Sequence, residues 1–509
     1  MNNIRVLIVE DEPNWQLELS TILHRMDGSI KAESIDHFDA AARKIRSDKY
    51  DLAVVDVLLP GGPPQAGVEL LRQLRGGSLN QYCGVILLTA HATPKIVSDA
   101  MANDRATCVL EKQGADGMGF DPDEFIRKVR EALLNSRLRR AEALRNSYFR
   151  LTLTLTERGL AGSELAGPMV KSQYAFDPAV RFDGTDLARR ADDLNQRLFE
   201  GDKGAWRSEA VSLGKTIYQS LAGHQETNTC LTEAKTHARP ADRLWIQLVG
   251  PPSNLSYPFE LMHDGGDYLA FANIITRKIL QGGSARTRKG EPFHQFISAL
   301  AARGETLKAL VVGYGGEGDP INAESEASSL TRSIESSARL LGMDCAVQLL
   351  ARKEATFDAV REALRSGCHI FHYAGHGEFD DNLPESSPLI LPDRDLTASD
   401  LNLLTLDTEL RLVFLNCCLG ARTASQVGRG DFHGFLHALS QADVPIVLAH
   451  RWEVGGASSR LLAEEFYQHL WRGFCPEMAL LEARRRIALE AGGRNDSAWA
   501  APVLVMQNN

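Results

Sequence analysis

A histidine and a cysteine in the C-terminal half of the sequence each follow directly on a short apolar run. His376 comes after His369–Tyr373, and Cys418 comes after Leu412–Leu415. Because the carboxyl ends of neighbouring parallel strands meet at one edge of a sheet, the two side chains can face the same crevice. A thiol needs help to become a nucleophile at neutral pH, and an adjacent imidazole supplies that help. The pair therefore predicts a cysteine nucleophile with a histidine base.

Glycines flank this histidine, so a substrate backbone can approach it closely and main-chain amides are left free. The amides of Gly377 and Cys418 are then candidates for an oxyanion hole, which holds the negative oxygen that develops during acyl transfer. Either residue alone also has a structural interpretation, because cysteine is among the most buried residue types and a strand-end histidine can be satisfied locally. The combination of Gly375-His376-Gly377 with a strand-terminal cysteine favours catalysis.

A second set of reactive side chains lies at predicted strand ends in the N-terminal region. Glu10 and Asp11 follow one apolar run, and Asp56 ends another. Carboxylates brought together repel one another unless a cation neutralises them, and Mg²⁺ prefers such oxygen ligands. Thr89 ends a third run with a hydroxyl, and Lys112 follows a fourth with a positive charge. An aspartate among a metal ion, a hydroxyl and an ammonium group can accept a phosphoryl group.

The elements that must position the N-terminal set form an α/β unit. Apolar runs alternate with amphipathic helical patterns, which predicts a doubly wound parallel sheet. The predicted strands are Val6–Val9, Leu52–Val57, Val85–Leu88 and Cys108–Leu110. The last helix begins at Asp121-Pro122, and its apolar stripe continues to Leu144. We expect it to leave the unit as a signalling connector or as a helix that forms a homodimer.

A second α/β unit positions the histidine and the cysteine. Its predicted strands are Leu244–Val249, Leu307–Val312, Ala346–Leu350, His369–Tyr373, Leu412–Leu415, Ile446–Ala449 and Val503–Met506. Between the two units the apolar pattern weakens and only helical segments are predicted. We therefore expect three segments, at residues 1–135, 136–240 and 241–509, of which the middle one is a helical connector or linker module.

Composition excludes several classes of function. A net charge of -10 argues against nucleic acid as the main partner, because phosphate binding needs a basic face. The sequence shows neither a signal peptide nor an apolar run of the ~20 residues that cross a membrane. Eight cysteines in 509 residues are too sparse for a disulfide scaffold. We therefore expect a cytoplasmic protein with reduced, potentially reactive thiols.

The N-terminal motifs together resemble a response regulator receiver domain over residues 1–135. The acidic pair corresponds to Glu10-Asp11, the phosphoacceptor to Asp56, the switch hydroxyl to Thr89 and the lysine to Lys112. The resemblance implies a flavodoxin-like fold and Mg²⁺ as cofactor. It also implies that the Leu58 carbonyl completes the metal site and that a sensor histidine kinase is the phosphodonor.

From about residue 243 the sequence resembles the CHAT family, which are caspase-like peptidases related to separase. The motifs that carry the resemblance are Tyr257–Met262, His372–Gly377, Leu396–Leu401, Phe414–Cys418, Ala442–Pro445, Trp452 and Trp499–Leu504. The resemblance implies that His376 is the general base and Cys418 the nucleophile. Cys417 is the alternative nucleophile, but the family usually has a small residue at its position.

These resemblances predict a response regulator whose output is a cysteine endopeptidase acting on protein substrates. The alternative is a catalytically silent CHAT scaffold that binds other proteins in a phosphorylation-dependent way. Four acidic residues are candidates for a pocket that reads a basic residue of the substrate, although each is equally typical of a solvated loop charge. They are Asp380, Asp381, Asp431 and Glu453.

Overall fold

The structure is a computed structural model, and it divides the chain into two compact units. The first comprises residues 1–142 with 336–344, and the second comprises 143–335 with 345–509. The residues it describes are 4–77, 79–90, 100–101, 106–112, 120–156, 159–167, 170–180, 187, 189–191, 193–194, 197, 203–238, 244–255, 257–280, 291–319, 321–378, 383–406, 408–419, 435–452, 454–490 and 497–507.

The first unit is a parallel five-stranded sheet, as predicted for a flavodoxin-like fold. Its strands are β1 (Ile4–Val9), β2 (Ile30–Ile35), β3 (Leu52–Asp56), β4 (Gly84–Thr89) and β5 (Cys108–Glu111), in the order β2-β1-β3-β4-β5. Strand β2 was not predicted from the sequence. Only Ile30 of β2 is buried because the strand lies at the sheet edge, so it lacks the continuous apolar run of the others.

Helices connect these strands, and the last of them is unusually long. They are α1 (Pro13–Met26), α2 (Phe38–Ser47), α3 (Ala66–Gly76) and α4 (Pro122–Asn146). The 25 residues of α4 confirm the prediction that the helix starting at Pro122 continues as far as Leu144. Leu70, Leu71 and Leu74 of α3 are wholly buried and join the apolar side chains of β3 and β4 in the core.

The second unit contains one large mixed sheet. Its strands are β6 (Phe149–Thr156), β7 (Gly159–Gly167), β8 (Val170–Val180), β9 (Leu244–Gly250), β10 (Ile274–Ile279), β11 (Leu307–Tyr314), β12 (Cys345–Ala351), β13 (Ile370–Gly377), β14 (Pro388–Leu389), β15 (Leu396–Thr397), β16 (Leu412–Leu419), β17 (Ile446–His450) and β18 (Pro502–Met506). The order along the described sheet is β12-β11-β13-β16-β17-β18-β10-β9-β6-β7-β8, and the short β14 and β15 join beside β13. All seven strands predicted for this unit are present.

Helices cover this sheet. They are α5 (Lys203–Ala222), α6 (Gln225–Ala238), α7 (Pro252–Leu255), α8 (Leu269–Ala272), α9 (Phe293–Arg303), α10 (Ala323–Leu340), α11 (Phe357–Arg365), α12 (Ala398–Thr405), α13 (Phe435–Gln441), α14 (Gly456–Trp471) and α15 (Pro476–Leu489). None of the helices in the described part of the chain has the length and apolar character needed to cross a bilayer.

The prediction that residues 136–240 are only helical was wrong in one respect. The helices α5 and α6 are present, but β6, β7 and β8 precede them and extend the large sheet through the parallel pairing of β6 with β9. The alternating leucines and threonines of β6 are a strand signal, with Leu151, Leu153 and Leu155 buried. The sequences of β7 and β8 are rich in glycine, alanine and polar residues, so neighbouring strands decide their conformation.

Candidate functional sites

The N-terminal acidic residues meet at the carboxyl edge of the first sheet. Ligand oxygens of Glu10, Asp11 and Asp56 lie within 4.8 Å of one another. The parallel register of β1 with β3 brings their ends together, and Asp56 is the last residue of a strand buried throughout. Thr89 ends β4 beside it and is also buried. Its carbonyl accepts the amide of Lys112 at 2.8 Å.

Lys112 forms the positive centre of this cluster. Its ammonium group lies 2.7 Å from Asp56 Oδ2 and 2.8 Å from Glu10 Oε1, and all three side chains are buried. Burial opposes the charge of the ammonium group, but its hydrogen bonds to the two carboxylates raise the pKa of Lys112. Burial also raises the pKa of Glu10, although Lys112 opposes that change. The lysine therefore balances only part of the buried negative charge.

The remaining donors of this cluster fit a divalent cation. Glu10 Oε2 is buried and has no hydrogen-bond partner among the described residues, while Asp11 is exposed at the rim. Asp56 Oδ1 accepts the amide of Leu58 at 3.1 Å, so the chain turns back over the carboxylate. An unsatisfied buried oxygen is costly, and oxygen ligands of this kind suit Mg²⁺.

The C-terminal pair lies at the ends of β13 and β16, which are parallel neighbours. The backbone register pairs His376 with Cys418, and residues in register across such a pair belong to the same face of the sheet. Cys417 pairs with Gly375 instead and belongs to the opposite face. On that opposite face the pKa of the Tyr373 hydroxyl is raised. Burial is the main cause, and the nearby thiol of Cys417 is the second. The register therefore favours position 418 over position 417 as the partner of His376.

Two hydrogen bonds to the His376 carbonyl fix the direction of this peptide group, and they therefore determine where the next amide points. The Ile390 amide donates to the His376 carbonyl at 2.9 Å, and the Tyr373 hydroxyl donates to the same oxygen at 2.7 Å. Because successive strand residues direct their polar groups to opposite edges, the Gly377 amide faces β16. Strand pairing continues to Gly377 and Leu419, so the predicted oxyanion-hole amides at 377 and 418 lie within the ladder. In this conformation they do not open into the crevice.

Two glycines allow close approaches at the two sites. A Cβ built on Gly67 would lie 2.1 Å from the carbonyl oxygen of Asp56, so only glycine lets α3 start against the end of β3. A Cβ built on Gly375 would lie 2.4 Å from the Tyr373 hydroxyl and 2.5 Å from the Tyr314 carbonyl oxygen. Larger residues at either position would displace the strand end that carries a predicted functional residue.

Several buried polar residues near the C-terminal pair were not predicted from the sequence. His372, Asn416 and His450 lie within strands that are otherwise almost entirely apolar, and all three are buried. Glu326 from α10 and Ser459 from α14 pack against them and are buried too. Polar side chains inside apolar strand runs are a visible sequence signal, but their partners come from distant helices.

The Tyr257–Met262 motif also has a structural explanation that the sequence did not reveal. Glu260 is wholly buried, and the Arg277 guanidinium donates to both of its carboxylate oxygens and to the Tyr257 carbonyl. Arg484 lies 3.7 Å from the same carboxylate. Burial opposes ionisation, but these guanidinium groups hold the pKa of Glu260 below its ordinary value. The motif therefore joins β10 and α15 through a buried charge cluster.

His450 predicts a pH dependence of stability. Neither ring nitrogen has a hydrogen-bond partner among the described residues, and burial, with His372 nearby, lowers its pKa to about 3 from 6.5. Since the unfolded chain binds a proton below about pH 6.5 and the folded chain does not, stability is lost as the pH falls from 6.5 towards 3. Between pH 7 and pH 5, wild type should lose about 2 kcal/mol more than His450→Leu in urea unfolding. If the free energy of unfolding changed equally with pH in wild type and in His450→Leu, this prediction would be contradicted.

Comparison with known protein families identifies the second unit. The profile of the CHAT domain family matches residues 213–507, which is more than half of the chain. The chain belongs to the CHAT domain family. The response regulator receiver domain profile matches residues 6–118. Both resemblances drawn from the sequence are therefore confirmed, and this CHAT protein combines a receiver domain with a domain of a caspase-like peptidase family.

Curated relatives match part of this CHAT protein. The sensor histidine kinase GacS of Pseudomonas protegens is 33% identical over 88 residues, which are 17% of this chain and 9% of GacS. The transcriptional activator IrlR of Burkholderia pseudomallei is 29% identical over 160 residues, which are 30% of this chain and 60% of IrlR. The chain thus spans less than two thirds of these relatives.

Solved structures align with about a quarter of the chain. A CheY-like receiver domain from Methanospirillum hungatei is 23% identical with a TM-score of 0.23, and the alignment covers 26% of this chain and 97% of that one. The receiver domain of a sensor histidine kinase from Pseudomonas aeruginosa, which has a magnesium ion in its active site cleft, is 21% identical with a TM-score of 0.20. That alignment covers 26% of this chain and 98% of the other.

The acidic residues predicted to line a substrate pocket lie outside the described residues. They are Asp380, Asp381, Asp431 and Glu453. The side chain of Cys418 is likewise outside the description, although its backbone position in β16 is given.

Proposed function

We propose that this protein is a response regulator with a cysteine endopeptidase as its output. The observation that carries the proposal is the register that pairs His376 with Cys418 at the ends of β13 and β16, in a domain of a caspase-like peptidase family. The segments proposed as functional parts are a receiver at 1–135, a peptidase domain at 241–509 and a connector at 136–240, whose strands β6 to β8 extend the sheet of the second unit. The proposed location is the cytoplasm, and the proposed partners are a sensor histidine kinase and a protein substrate.

The proposed reaction is peptide hydrolysis through a thioester. His376 takes the proton of the Cys418 thiol, and the thiolate attacks the carbonyl carbon of the scissile peptide bond. The C–N bond then breaks while the imidazolium returns the proton to the leaving amine, and water hydrolyses the thioester. We assign the oxyanion to the amides of Gly377 and Cys418. Because both amides lie within the ladder, this role requires them to turn out of their ladder hydrogen bonds when substrate binds, while the register that pairs residues 376 and 418 is kept.

The proposed control is phosphorylation of Asp56. Glu10, Asp11, Asp56 and the Leu58 carbonyl would hold Mg²⁺, which neutralises phosphoryl oxygens when bound. Lys112 and Thr89 lie beside Asp56 and would bind the transferred group from the protein side. A phosphoryl group adds negative charge and acceptor oxygens, so it would redirect Lys112 away from the Asp56 carboxylate and bias the conformation of the domain.

Acetyl phosphate with Mg²⁺ should add one phosphoryl group to the wild type and none to Asp56→Asn, as read by intact mass. The matched control is Asp39→Asn, which changes an exposed aspartate of α2 and should be phosphorylated like the wild type. Phosphorylation should also change the rate at which a peptidyl chloromethyl ketone labels Cys418. Phosphorylation of Asp56→Asn to the same extent would remove Asp56 from its role. A protein that is phosphorylated but never labelled would support the non-catalytic binding scaffold instead.

A further inference from the structure

A group of buried polar side chains lies on the sheet face to which residue 376 belongs. We call it the polar network, and its members are Glu326, His372, Asn416, Ser459 and Tyr467, all of which are buried. His372 precedes His376 by an even number of strand positions, and Asn416 precedes Cys418 by an even number, so each shares the face of its successor. The remaining members come from α10 and α14, which cover this face.

Hydrogen bonds join the members of the polar network. Glu326 Oε1 lies 3.1 Å from His372 Nε2 and accepts a hydrogen bond from Asn416 Nδ2. The Ser459 hydroxyl donates to Asn416 Oδ1 at 2.6 Å. The Tyr467 hydroxyl lies 3.5 Å from His372 Nδ1. Both ends of the Asn416 amide and both ring nitrogens of His372 therefore have partners, which fixes their orientation.

The polar network is not needed to fill the core. The rings of Phe414 and Tyr467 pack edge-on against His372, and Phe466 packs against Phe414. Apolar side chains of similar volume would complete this packing without removing a carboxylate and an amide from water. Replacing a buried polar or ionic cluster in this way often leaves stability unchanged or increases it. A fully satisfied network instead restricts the region to one arrangement.

The position of the polar network lets it act on the ends of β13 and β16. Asn416 lies two residues before Cys418 and is tied to α10 through Glu326 and to α14 through Ser459. His372 ties β13 to the same carboxylate. A slip of one strand would separate these side chains, so the hydrogen bonds resist any change in the register that pairs residues 376 and 418. Catalytic groups must be held to within about 0.5 Å.

On the basis of the proposed function, we propose that Glu326, His372 and Asn416 are positioning residues for the His376–Cys418 pair. Their role is to act through the strand ends, and they take no part in making or breaking bonds. They hold the two strand ends in the register that lets the imidazole accept the thiol proton. Glu326 Oε1 makes the contacts with both His372 and Asn416. The proposed role therefore needs an acceptor oxygen at this position and does not need its negative charge.

The test is the rate and pH profile of Cys418 alkylation by iodoacetamide in the full-length protein, read by mass spectrometry of the peptide that contains it. Glu326→Met should lower the rate at pH 6 about tenfold, to that of His376→Ala, and shift the pH profile towards that of an unassisted thiol. Glu326→Gln keeps an acceptor at the same position and should retain the wild-type rate and profile. Thr227→Val, which changes a buried hydroxyl in α6, is the matched control and should leave both unchanged.

A triple variant separates positioning from folding. Glu326→Met/His372→Phe/Asn416→Leu replaces the polar network with apolar side chains and should melt no lower than wild type while showing the slow alkylation of His376→Ala. Wild-type alkylation in this stable variant, or in Glu326→Met, would overturn the inference while leaving the proposed function intact. If Glu326→Gln lowers the rate of Cys418 alkylation as much as Glu326→Met does, the proposed role of Glu326 as a hydrogen-bond acceptor is overturned. If His376→Ala is alkylated as fast as wild type, it is the proposed function that fails.

Discussion

Changing Cys418 to alanine is expected to abolish peptide cleavage and covalent labelling, with folding unchanged. The thiolate is the atom that bonds to substrate in the proposed mechanism, so no residual covalent route remains. Cys417→Ala should retain both activities, because Cys417 pairs with Gly375 and belongs to the opposite face of the sheet. His376→Ala should slow the alkylation of Cys418 about tenfold at pH 6, where an unassisted thiol is almost entirely protonated.

The measurement must distinguish two adjacent cysteines. Trypsin should release residues 412–422 as one peptide, and fragment masses then assign the alkyl group to position 417 or 418. Thermal melting of each variant checks that the fold is kept. Labelling at Cys417 alone, dependent on His376, would reverse the assignment of the nucleophile. Labelling of neither residue by any peptidyl ketone would favour the binding scaffold.

Changing Glu260 to glutamine should destabilise the second unit by about 3–5 kcal/mol, the largest stability effect that we expect from one substitution. The substitution removes the carboxylate charge that faces the buried guanidinium groups of Arg277 and Arg484. Arg277 is wholly buried and also donates to the carbonyls of Leu255 and Tyr257, so it has no route to solvent. Urea unfolding followed by tryptophan fluorescence measures the change in free energy of unfolding.

A surface pair provides the control for this prediction. Glu305 contacts Arg303 at 2.7 Å, but both side chains are about half exposed. Glu305→Gln should therefore leave the unfolding midpoint unchanged within error, since exposed ion pairs contribute little. If Glu260→Gln also left the unfolding midpoint unchanged, the buried cluster would not hold α15 to β10 as we describe.

The fold class could be read from the sequence because its strongest signals are local. Unbroken apolar runs such as Leu52–Val55 and Leu412–Leu415 identify strands covered on both faces, and the proline at Pro122 marks where a helix starts. Two edge strands, β2 and β8, lack that signal. Their sequences contain no continuous apolar run, so they were not predicted, and pairing with a neighbouring strand determines their conformation.

The residue types and spacing alone identified Asp56, Lys112, His376 and Cys418 as candidates, because each lies at or just after the end of an apolar run and strand ends converge. The tertiary structure decided what surrounds them. Register depends on long-range pairing, so only the fold shows that position 418, rather than 417, shares a face with His376. Glu326 and Asn416 are 90 positions apart and meet only because α10 packs on the sheet. Such partners have no sequence signal, since contact between distant segments depends on how whole elements pack.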